Sequence, residues 1–257
     1  MAIADQLFAE PRAVEASACH FYHTMEIPDH GLVFGEWDLR GNERVYLGNV
    51  EFASKSVLEI GTASGYLCYW MEEHGARVTG VDLDRNAAWD LVSHHDANRE
   101  GQAKERCDVL DRINNAWWFN HAKRRSKARC IYRSIYQLGP EVGTFDVVTL
   151  CSVLLHLRDP IRAIELACSR SHSEIIITDV SERQFLGAKP HLQDELCLHL
   201  IPRADRKDAI DAWYFLPSAL VVEAVRIFGF PTVEVLHHKQ RYMDGHDWQF
   251  YTVVGRR

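Results

Sequence analysis

Short runs of β-branched and apolar residues alternate with helix-like patterns from Ser56 onward. The five runs are Ser56–Ile60, Arg77–Val81, Arg129–Ser134, Phe145–Cys151 and Glu174–Asp179. Runs of this length and composition are typical of strands that are buried on both faces. Helix formers fill Tyr66–His74, and Arg158–Ser169 has Pro160 near its start, where a missing N–H is harmless. Strands alternating with helices predict a parallel sheet covered by helices on both sides.

A helix and two more strands are predicted in the last quarter of the chain. After Pro217, apolar residues recur at helical spacing until Gly229, a residue that commonly ends a helix. The patterns of Thr232–Leu236 and Gln249–Val254 then indicate two closing strands. The sheet is therefore expected to continue beyond the alternating part of the chain.

Three parts of the chain fall outside this pattern. They are residues 1–50, 108–127 and 181–214, and no repeat, low-complexity stretch or linker separates them from the rest. We interpret residues 51–257 as one domain with two inserts, because single α/β domains reach this length. The N-terminal segment and the inserts are the expected lid and substrate-selecting parts.

The composition, with 47% hydrophobic and 25% charged residues, is that of an ordinary globular protein. A formal charge of −7 argues against a generic nucleic-acid binder, because phosphate binding requires a basic face. We find neither a secretory signal nor the ~18 apolar residues in a row that a membrane helix requires. Seven scattered cysteines without a Cys-x-x-Cys pair are typical of reduced thiols. We therefore expect a cytoplasmic protein without membrane contact.

A loop of small residues follows the first buried strand. Residues 61–65 read Gly-Thr-Ala-Ser-Gly, so the backbone can approach a ligand closely at the carboxyl end of the strand. Asp82 ends the next strand, where an acid can bind both hydroxyls of a ribose. The spacing is not the Gly-x-Gly-x-x-Gly of dinucleotide folds, so the pair favours a single adenosine without a pyrophosphate. A tight strand-to-helix turn would explain the loop alone equally well.

The segment Glu59–Gly65 and Asp82 resemble two motifs of the class I S-adenosylmethionine-dependent methyltransferases, an acid-x-Gly-x-x-x-Gly loop and an acidic strand end. The resemblance continues through Tyr132–Tyr136 and Phe145–Leu150. It implies a Rossmann-like α/β fold with a seven-stranded, mostly parallel sheet, an antiparallel closing strand and helices on both faces. Cys151–Pro160 is similar to a narrower branch that includes the transfer-RNA wobble-uridine carboxymethyl transferase.

By this resemblance the cofactor is S-adenosylmethionine, and S-adenosylhomocysteine is its product. The residues implied to contact it are Glu59, Gly61, Ala63, Gly65, Asp82, Ser134, Ile135, Cys151 and Ser152. The first four would line the amino-acid and ribose side, and the fifth would bind the ribose hydroxyls. The next two would lie along the adenine, and the last two under the methionine portion.

A segment dense in aromatic and charged residues, at positions 35–41, precedes the domain. It contains Arg40, whose planar guanidinium suits a bidentate contact with the carboxylate of the cofactor. An ion-paired N-terminal turn would explain the same residues equally well.

Three residues are candidates for acid-base catalysis. Methyl transfer needs mainly alignment, but a hydroxyl acceptor gains about 10²–10⁴-fold from a base that takes its proton. His156 follows the fourth strand and is the strongest candidate, although bracing of the turn at Asp159 would also explain it. Tyr22 and His23 would reach the acceptor if the N-terminal segment is a lid. A solvent-facing helix is the alternative for that pair.

Other patterns have both a structural and a functional interpretation. Trp117 and Trp118 either pin residues 108–127 to the core, which is favoured, or stack on an aromatic acceptor. A basic run from Lys123 to Arg129 suits a solvated helix end better than an anion site. A stripe at three- and four-residue steps suits a polar helix face better than a divalent metal site, so a metal is not favoured. The stripe consists of His191, Asp194, Glu195 and His199.

The predicted function is transfer of a methyl group from S-adenosylmethionine to a small-molecule or sugar acceptor, at oxygen and with help from a base. Two alternatives remain open. One is a transfer-RNA-modifying methyl or carboxymethyl transferase, and the other is a non-catalytic nucleoside-binding module. A homo-oligomer is compatible with the sequence.

Overall fold

The computed structural model describes residues 7–87, 89–181, 184, 196–205 and 211–257. The first elements are short. They are the strands β1 (Met25–Ile27), β2 (Gly31–Val33) and β3 (Trp37–Asp38) and the helix α1 (Glu43–Tyr46). The strands β1 and β2 form an antiparallel hairpin.

A large twisted sheet forms the centre of the molecule. It contains β3 and seven further strands, which are β4 (Ser56–Ile60), β5 (Arg77–Asp82), β6 (Arg129–Tyr132), β7 (Phe145–Cys151), β8 (Ser171–Val180), β11 (Thr232–Tyr242) and β12 (Asp247–Arg256). The strand order is β3-β11-β12-β8-β7-β4-β5-β6. The strands from β8 to β6 are parallel, whereas β12 pairs antiparallel with β8, and β11 antiparallel with β12. A separate two-stranded ladder joins β9 (His199–Leu200) to β10 (Tyr214–Phe215).

In the described parts of the chain, four longer helices cover the two faces of the sheet. They are α2 (Tyr66–Glu73), α3 (Arg99–Arg124), α4 (Pro160–Arg170) and α5 (Ser218–Ile227). Short 3-10 helices occur at Ala16–Ala18, Ile135–Gln137, Pro140–Val142 and Leu154–His156. No helix in the described parts of the chain is long and apolar enough to span a bilayer.

Two hydrophobic cores lie on opposite faces of the sheet, because successive side chains of a strand point to opposite sides. Val57 packs in the core shared with α2, α3 and the N-terminal segment, and its neighbour Leu58 packs in the core shared with α4 and α5. Both side chains are fully buried. This two-sided burial explains why the central strands are almost continuously apolar.

The expected α/β fold with a mostly parallel sheet is confirmed, and the sheet has eight strands rather than seven. The additional strand is β3, a two-residue strand that pairs with the end of β11 at Tyr242. It belongs to the N-terminal segment, where two residues are too few for a recognisable alternation. Most of the predicted insert at residues 108–127 is the second half of α3, a 26-residue helix between β5 and β6.

Candidate active site

The loop between β4 and α2 has an unusual backbone. Gly61, Ala63 and Gly65 all have positive φ angles, of 82°, 47° and 86°. A Cβ atom at Gly61 would lie 2.4 Å from Cγ2 of Val153, and one at Gly65 would lie 2.4 Å from Cε2 of Tyr69. Glycine is therefore required at both ends of the loop, because neither a side chain nor a right-handed backbone fits there.

Asp82 holds this loop from the end of β5. Its Oδ2 accepts a hydrogen bond of 2.7 Å from the backbone N–H of Ala63, and its Oδ1 accepts one of 2.7 Å from Leu83. Loss of solvent around the carboxyl raises the pKa of Asp82 to about 6, and the two N–H donors oppose that rise. The acid thus fixes the loop and lines the cavity in front of it.

Glu59 lies beneath the loop, at the penultimate position of β4. Its Oε2 accepts a hydrogen bond of 2.5 Å from Oγ1 of Thr62, and that hydroxyl accepts a 3.1 Å bond from Nε1 of Trp117. Burial raises the pKa of Glu59 to about 8, and the charge of Asp82 adds to the rise. The Trp117 ring is buried between α3 and the loop, as the core interpretation of this residue predicts.

One cavity opens beyond the carboxyl ends of β4, β5 and β7, where ligands bind in open α/β sheets. It brings together eleven of the predicted site residues from five separate parts of the chain. They are Tyr22, His23, Glu59, Gly61, Ala63, Asp82, Ser134, Ile135, Cys151, Ser152 and His156. The sequence-distant residues of the N-terminal segment therefore share one site with the glycine loop.

Two predicted residues do not line this cavity. Gly65 lies behind the loop, against Tyr69 and Trp117. Arg40 makes a bidentate ion pair with Asp38, at 2.8 and 2.7 Å, and is exposed. The structure agrees with the interpretation of Arg40 as part of an ion-paired turn, and the contact with a cofactor carboxylate stays a prediction.

His156 ends the 3-10 helix that follows β7, and it lines the cavity. Its Nδ1 is hydrogen-bonded to the backbone carbonyl of Asp211. A carbonyl can only accept, so Nδ1 carries the proton of the neutral ring and Nε2 keeps its lone pair. The side chain of Asp211 is ion-paired with Arg106 of α3, which fixes the residue that orients the histidine.

His23 and Tyr22 reach the cavity from the N-terminal segment. The His23 ring stacks on Tyr66 with centroids 5.6 Å apart, and burial lowers its pKa to about 3. Its Nδ1 has no hydrogen-bond partner among the described residues. Desolvation, with a smaller contribution from the charge of Glu36, raises the pKa of Tyr22, while a hydrogen bond from Trp37 opposes the rise. Both side chains are therefore neutral at physiological pH.

Comparison with known proteins identifies the family. The family model described as "Methyltransferase domain" matches residues 39–219. The chain belongs to the methyltransferase domain family. The methyltransferase is also similar to a ubiquinone biosynthesis O-methyltransferase of Aromatoleum aromaticum, with 26% identity over 191 residues that cover 73% of this chain and 69% of the relative.

Solved structures share the fold of the methyltransferase. The N-terminal domain of EvdMO1, determined in the presence of S-adenosylhomocysteine and D-fucose, aligns with a TM-score of 0.53 at 16% identity, over 93% of this chain and 92% of that one. An S-adenosylmethionine-dependent methyltransferase from Mesorhizobium loti aligns with a TM-score of 0.50 at 14% identity, over 85% of this chain and 100% of that one. The narrower resemblance to the wobble-uridine branch stays a prediction.

The methyltransferase uses S-adenosylmethionine as its cofactor, and the residues of the cavity fit that molecule. Nε1 of Trp89, a buried donor on the cavity wall, has no partner among the described residues, as expected where a ligand supplies one. Asp82 presents a carboxylate beside the small residue Ala63, which leaves room for a ribose. The acid of β4, Glu59, also lines the cavity.

Several residues of the methyltransferase cavity were not predicted from the sequence. They are Glu36, Trp37, Tyr46, Trp89, Arg106 and Asp211. The hydroxyl of Tyr46 lies 3.0 Å from Oγ of Ser152, a residue with a positive φ of 55° directly after β7. The aromatic segment at residues 35–41 was the signal that could have identified Glu36 and Trp37 as residues of the cavity. Arg106 and Asp211 have no local signal, because they come from the middle of a helix and from a loop.

The predicted metal stripe lies mostly outside the described residues. His191, Asp194 and Glu195 are not described, and His199 lies in β9 with its Nε2 3.3 Å from Sγ of Cys197. The described residues of the methyltransferase contain no group of three potential metal ligands. Asp179, which could have joined such a site, is buried at the end of β8, and burial raises its pKa to about 7.

Proposed function

We propose that this methyltransferase transfers the methyl group to a hydroxyl of an uncharged small molecule, with His156 as the general base. The observation that carries the proposal is the hydrogen bond between Nδ1 of His156 and the Asp211 carbonyl. It leaves Nε2 as a proton acceptor on a residue that lines the cavity.

The chemistry requires few groups from the protein. When bound, S-adenosylmethionine supplies the methyl group on a positively charged sulfur. The acceptor oxygen would take the methyl as the carbon–sulfur bond breaks, with neutral S-adenosylhomocysteine as the leaving group. The hydroxyl proton would pass to Nε2 of His156, so the transfer does not require a strongly basic oxygen in advance. The Asp211 carbonyl holds the ring in the tautomer that does this, and the Arg106 ion pair holds Asp211. The similarity to an O-methyltransferase supports oxygen as the acceptor atom.

The charges of the cavity favour an uncharged acceptor. Among the described residues, both cations of the lining are paired, Arg106 with Asp211 and Arg133 with Glu141. Glu36 adds a carboxylate, whose Oε1 lies 3.2 Å from Nε2 of His20. An anionic substrate would find no unpaired arginine there, and it would face Glu36. This balance disfavours RNA and other phosphate-bearing acceptors, and with them the wobble-uridine alternative.

We place the acceptor side partly at the N-terminal segment and partly at one of the two inserts of the domain. Tyr22, Glu36 and Trp37 come from the N-terminal segment at residues 1–50, and Asp211 comes from the 181–214 insert. We propose that both segments cover the acceptor and select it. The proposal includes both sugars and aromatic alcohols as acceptors, since each is an uncharged ring with hydroxyls.

A substrate panel tests the proposal directly. The wild type is incubated with S-adenosylmethionine and uncharged phenols, catechols and methyl glycosides, and methylated products are identified by mass spectrometry. His156→Ala should lower kcat about 10²–10⁴-fold and leave the dissociation constant of S-adenosylhomocysteine unchanged. The matched control is His172→Ala, since His172 is an exposed histidine outside the cavity.

Three results would contradict the proposal. One is full turnover by the His156→Ala variant. Another is methyl transfer to transfer RNA with salt-dependent affinity, and no transfer to any uncharged alcohol. The third is a wild type that binds the cofactor and methylates nothing in the panel, which would favour a binding module without catalysis.

A further inference from the structure

Ser64 connects the glycine loop, on the proposed cofactor side of the cavity, with the N-terminal segment, on the proposed acceptor side. It follows Ala63 in the glycine loop, is fully buried and does not line the cavity. Its Oγ accepts hydrogen bonds from two consecutive backbone N–H groups of the N-terminal segment, Tyr22 at 3.2 Å and His23 at 3.4 Å. Two backbone donors on one hydroxyl fix the position of this part of the segment relative to the loop.

The contact continues from Tyr22 to the acceptor side. The Tyr22 carbonyl accepts hydrogen bonds from the N–H groups of Glu36, at 2.9 Å, and Trp37, at 3.2 Å. The peptide unit between Tyr22 and His23 thus binds Ser64 through its N–H and the Glu36–Trp37 backbone through its carbonyl. Gly35 packs so closely on the backbone of His23 that an added Cβ would lie 2.4 Å from its carbonyl carbon. The chain around Tyr22 and the chain around Glu36 are therefore packed closely against each other.

The contact also continues from Ser64 to the cofactor side. The neighbouring residue Ala63 lines the cavity with a left-handed backbone, and its N–H is held by the carboxylate of Asp82. A ligand that settles against Asp82 and Ala63 restricts this loop, and Ser64 is the next residue along the chain. The carbonyl of Ser64 is 3.5 Å from Nδ2 of Asn120, so α3 supports the same point.

We propose that Ser64 is a positioning residue that couples cofactor binding to the order of residues 20–37. Cofactor binding restricts the loop, and Ser64 of the loop binds the backbone of Tyr22. Tyr22 in turn binds the backbone of Glu36 and Trp37, which form part of the acceptor wall, the side of the cavity proposed to contact the acceptor. The acceptor then meets a formed wall only after the cofactor is present. The inference rests on the proposed function, because that proposal places the acceptor against these three residues.

Hydrogen-exchange mass spectrometry tests the coupling without a known acceptor. Exchange of peptides that cover residues 20–37 is measured with and without saturating S-adenosylhomocysteine in the wild type, in Ser64→Ala and in Ser169→Ala. In the wild type, the ligand should slow exchange in these peptides. In Ser64→Ala, the ligand should still bind within about threefold of the wild-type dissociation constant, but the slowing should be lost. Ser169→Ala removes an exposed hydroxyl whose two partners, the Leu166 carbonyl and Nε of Arg170, both belong to α4, so it should behave as the wild type.

Four results would overturn the proposal. The first is a wild type without ligand-induced slowing. The second is a Ser64→Ala variant that keeps the slowing at wild-type exchange rates, and the third is one that keeps it although exchange is faster by the same amount with and without ligand. The fourth is a folded variant that no longer binds the ligand. If Ser64→Ala does not fold, Ser64→Cys decides, because its sulfur fills the same space and accepts hydrogen bonds weakly. It should show an intermediate loss, and wild-type slowing would overturn the proposal.

Kinetics separate this coupling from the proposed function. Once an acceptor is known, Ser64→Ala should raise its KM severalfold while the KM of the cofactor stays the same. If the acceptor turns out not to be an alcohol, the proposed function fails and the exchange result stands. If the exchange result fails while alcohols are methylated, only the coupling is wrong.

Discussion

The cofactor wall and the acceptor wall of this cavity are built in different ways. The centre of the proposed cofactor wall is a short stretch of chain, from Glu59 to Asp82, in which backbone N–H groups bind one carboxylate. Two later segments, at Ser134–Ile135 and Cys151–Ser152, complete this wall. The acceptor wall combines Tyr22, Glu36 and His156 with Arg106 and Asp211, which are far apart in the chain. The geometry of the cofactor wall depends mainly on one loop, whereas that of the acceptor wall depends on how distant segments pack together.

This difference separates contacts made within a short stretch of chain from contacts made between distant segments. A loop with its own left-handed backbone and its own acid keeps its geometry whatever packs around it. The acceptor wall depends on ion pairs and hydrogen bonds between segments, so a change in any segment reshapes it. Substitutions should therefore divide cleanly, with cofactor-side changes affecting cofactor affinity and acceptor-side changes affecting acceptor KM.

The largest expected effect is that of Asp82→Ala. Removal of the carboxylate leaves the N–H groups of Ala63 and Leu83 without their acceptors and removes the group offered to the ribose. We expect the dissociation constant of S-adenosylhomocysteine, measured by calorimetry, to rise about 100-fold, as for the loss of two hydrogen bonds to a charged group. Asp84→Ala is the matched control, since Asp84 caps a turn outside the cavity. A rise of the dissociation constant by less than about threefold is smaller than the loss of one hydrogen bond to a charged group would cause. Such a result would contradict the assignment of Asp82 to the cofactor wall.

A smaller effect is expected on the other wall from Glu36→Gln. The substitution keeps the shape of the side chain but removes a carboxylate that lines the cavity beside His20. We expect the KM of the acceptor to rise about two- to tenfold with the cofactor dissociation constant unchanged. Glu51→Gln is the control, because Glu51 pairs with Arg44 on the surface. Weaker cofactor binding by Glu36→Gln would show that the two walls are not separable in this way.

The smallest effect concerns the stability of the ligand-free protein. The pKa of Glu59 is about 8 in the folded protein, above its ordinary value of 4.5. Between these two values the folded state binds a proton that the unfolded state has released, so the free energy of unfolding falls as pH rises through this window. We expect the wild-type Tm to be lower at pH 8 than at pH 6, and Glu59→Gln to reduce this difference by a few degrees.

The remaining dependence in Glu59→Gln has an identified source. The folded-state pKa values of Asp179, about 7, and Asp82, about 6, are raised in the same direction, so some loss of stability with pH should persist. Glu51→Gln should keep the full wild-type difference. Equal pH dependence in wild type and Glu59→Gln would mean that the buried glutamate ionises at its ordinary pKa, and the cofactor wall would not be as closed as the structure indicates.

The central strands were predictable because their burial is recorded in consecutive residues. Ser56–Ile60 and Phe145–Cys151 have the predicted bounds, since each is an apolar run that is buried on both faces. The predicted strand Thr232–Leu236 continues to Tyr242. Its second half is polar and largely exposed, and backbone hydrogen bonds with β12 hold it, which a hydrophobic pattern cannot reveal.

The cofactor loop was predictable for the same reason, and the acceptor wall was not. Arg40 was assigned to the cavity because of its chemistry, but Asp38 lies two residues away and pairs with it first. The contact between Asp211 and His156 joins residues 55 positions apart, and only the folded chain brings them together. Local sequence encodes local geometry, whereas pairings across the fold follow from how the segments pack.

The two outer strands have a consequence for where this protein can be cut. The family match ends at residue 219, but β12 pairs with β8 along Glu174–Val180 and β11 pairs along β12. A chain trimmed to residues 39–219 would expose the hydrogen-bonding edge of β8, whose residues Ile175–Ile177 are fully buried in the whole chain. Such an edge is prone to aggregation. The end of the family match is therefore not the end of the folded unit, and any shortened form of the enzyme has to retain the hairpin of β11 and β12.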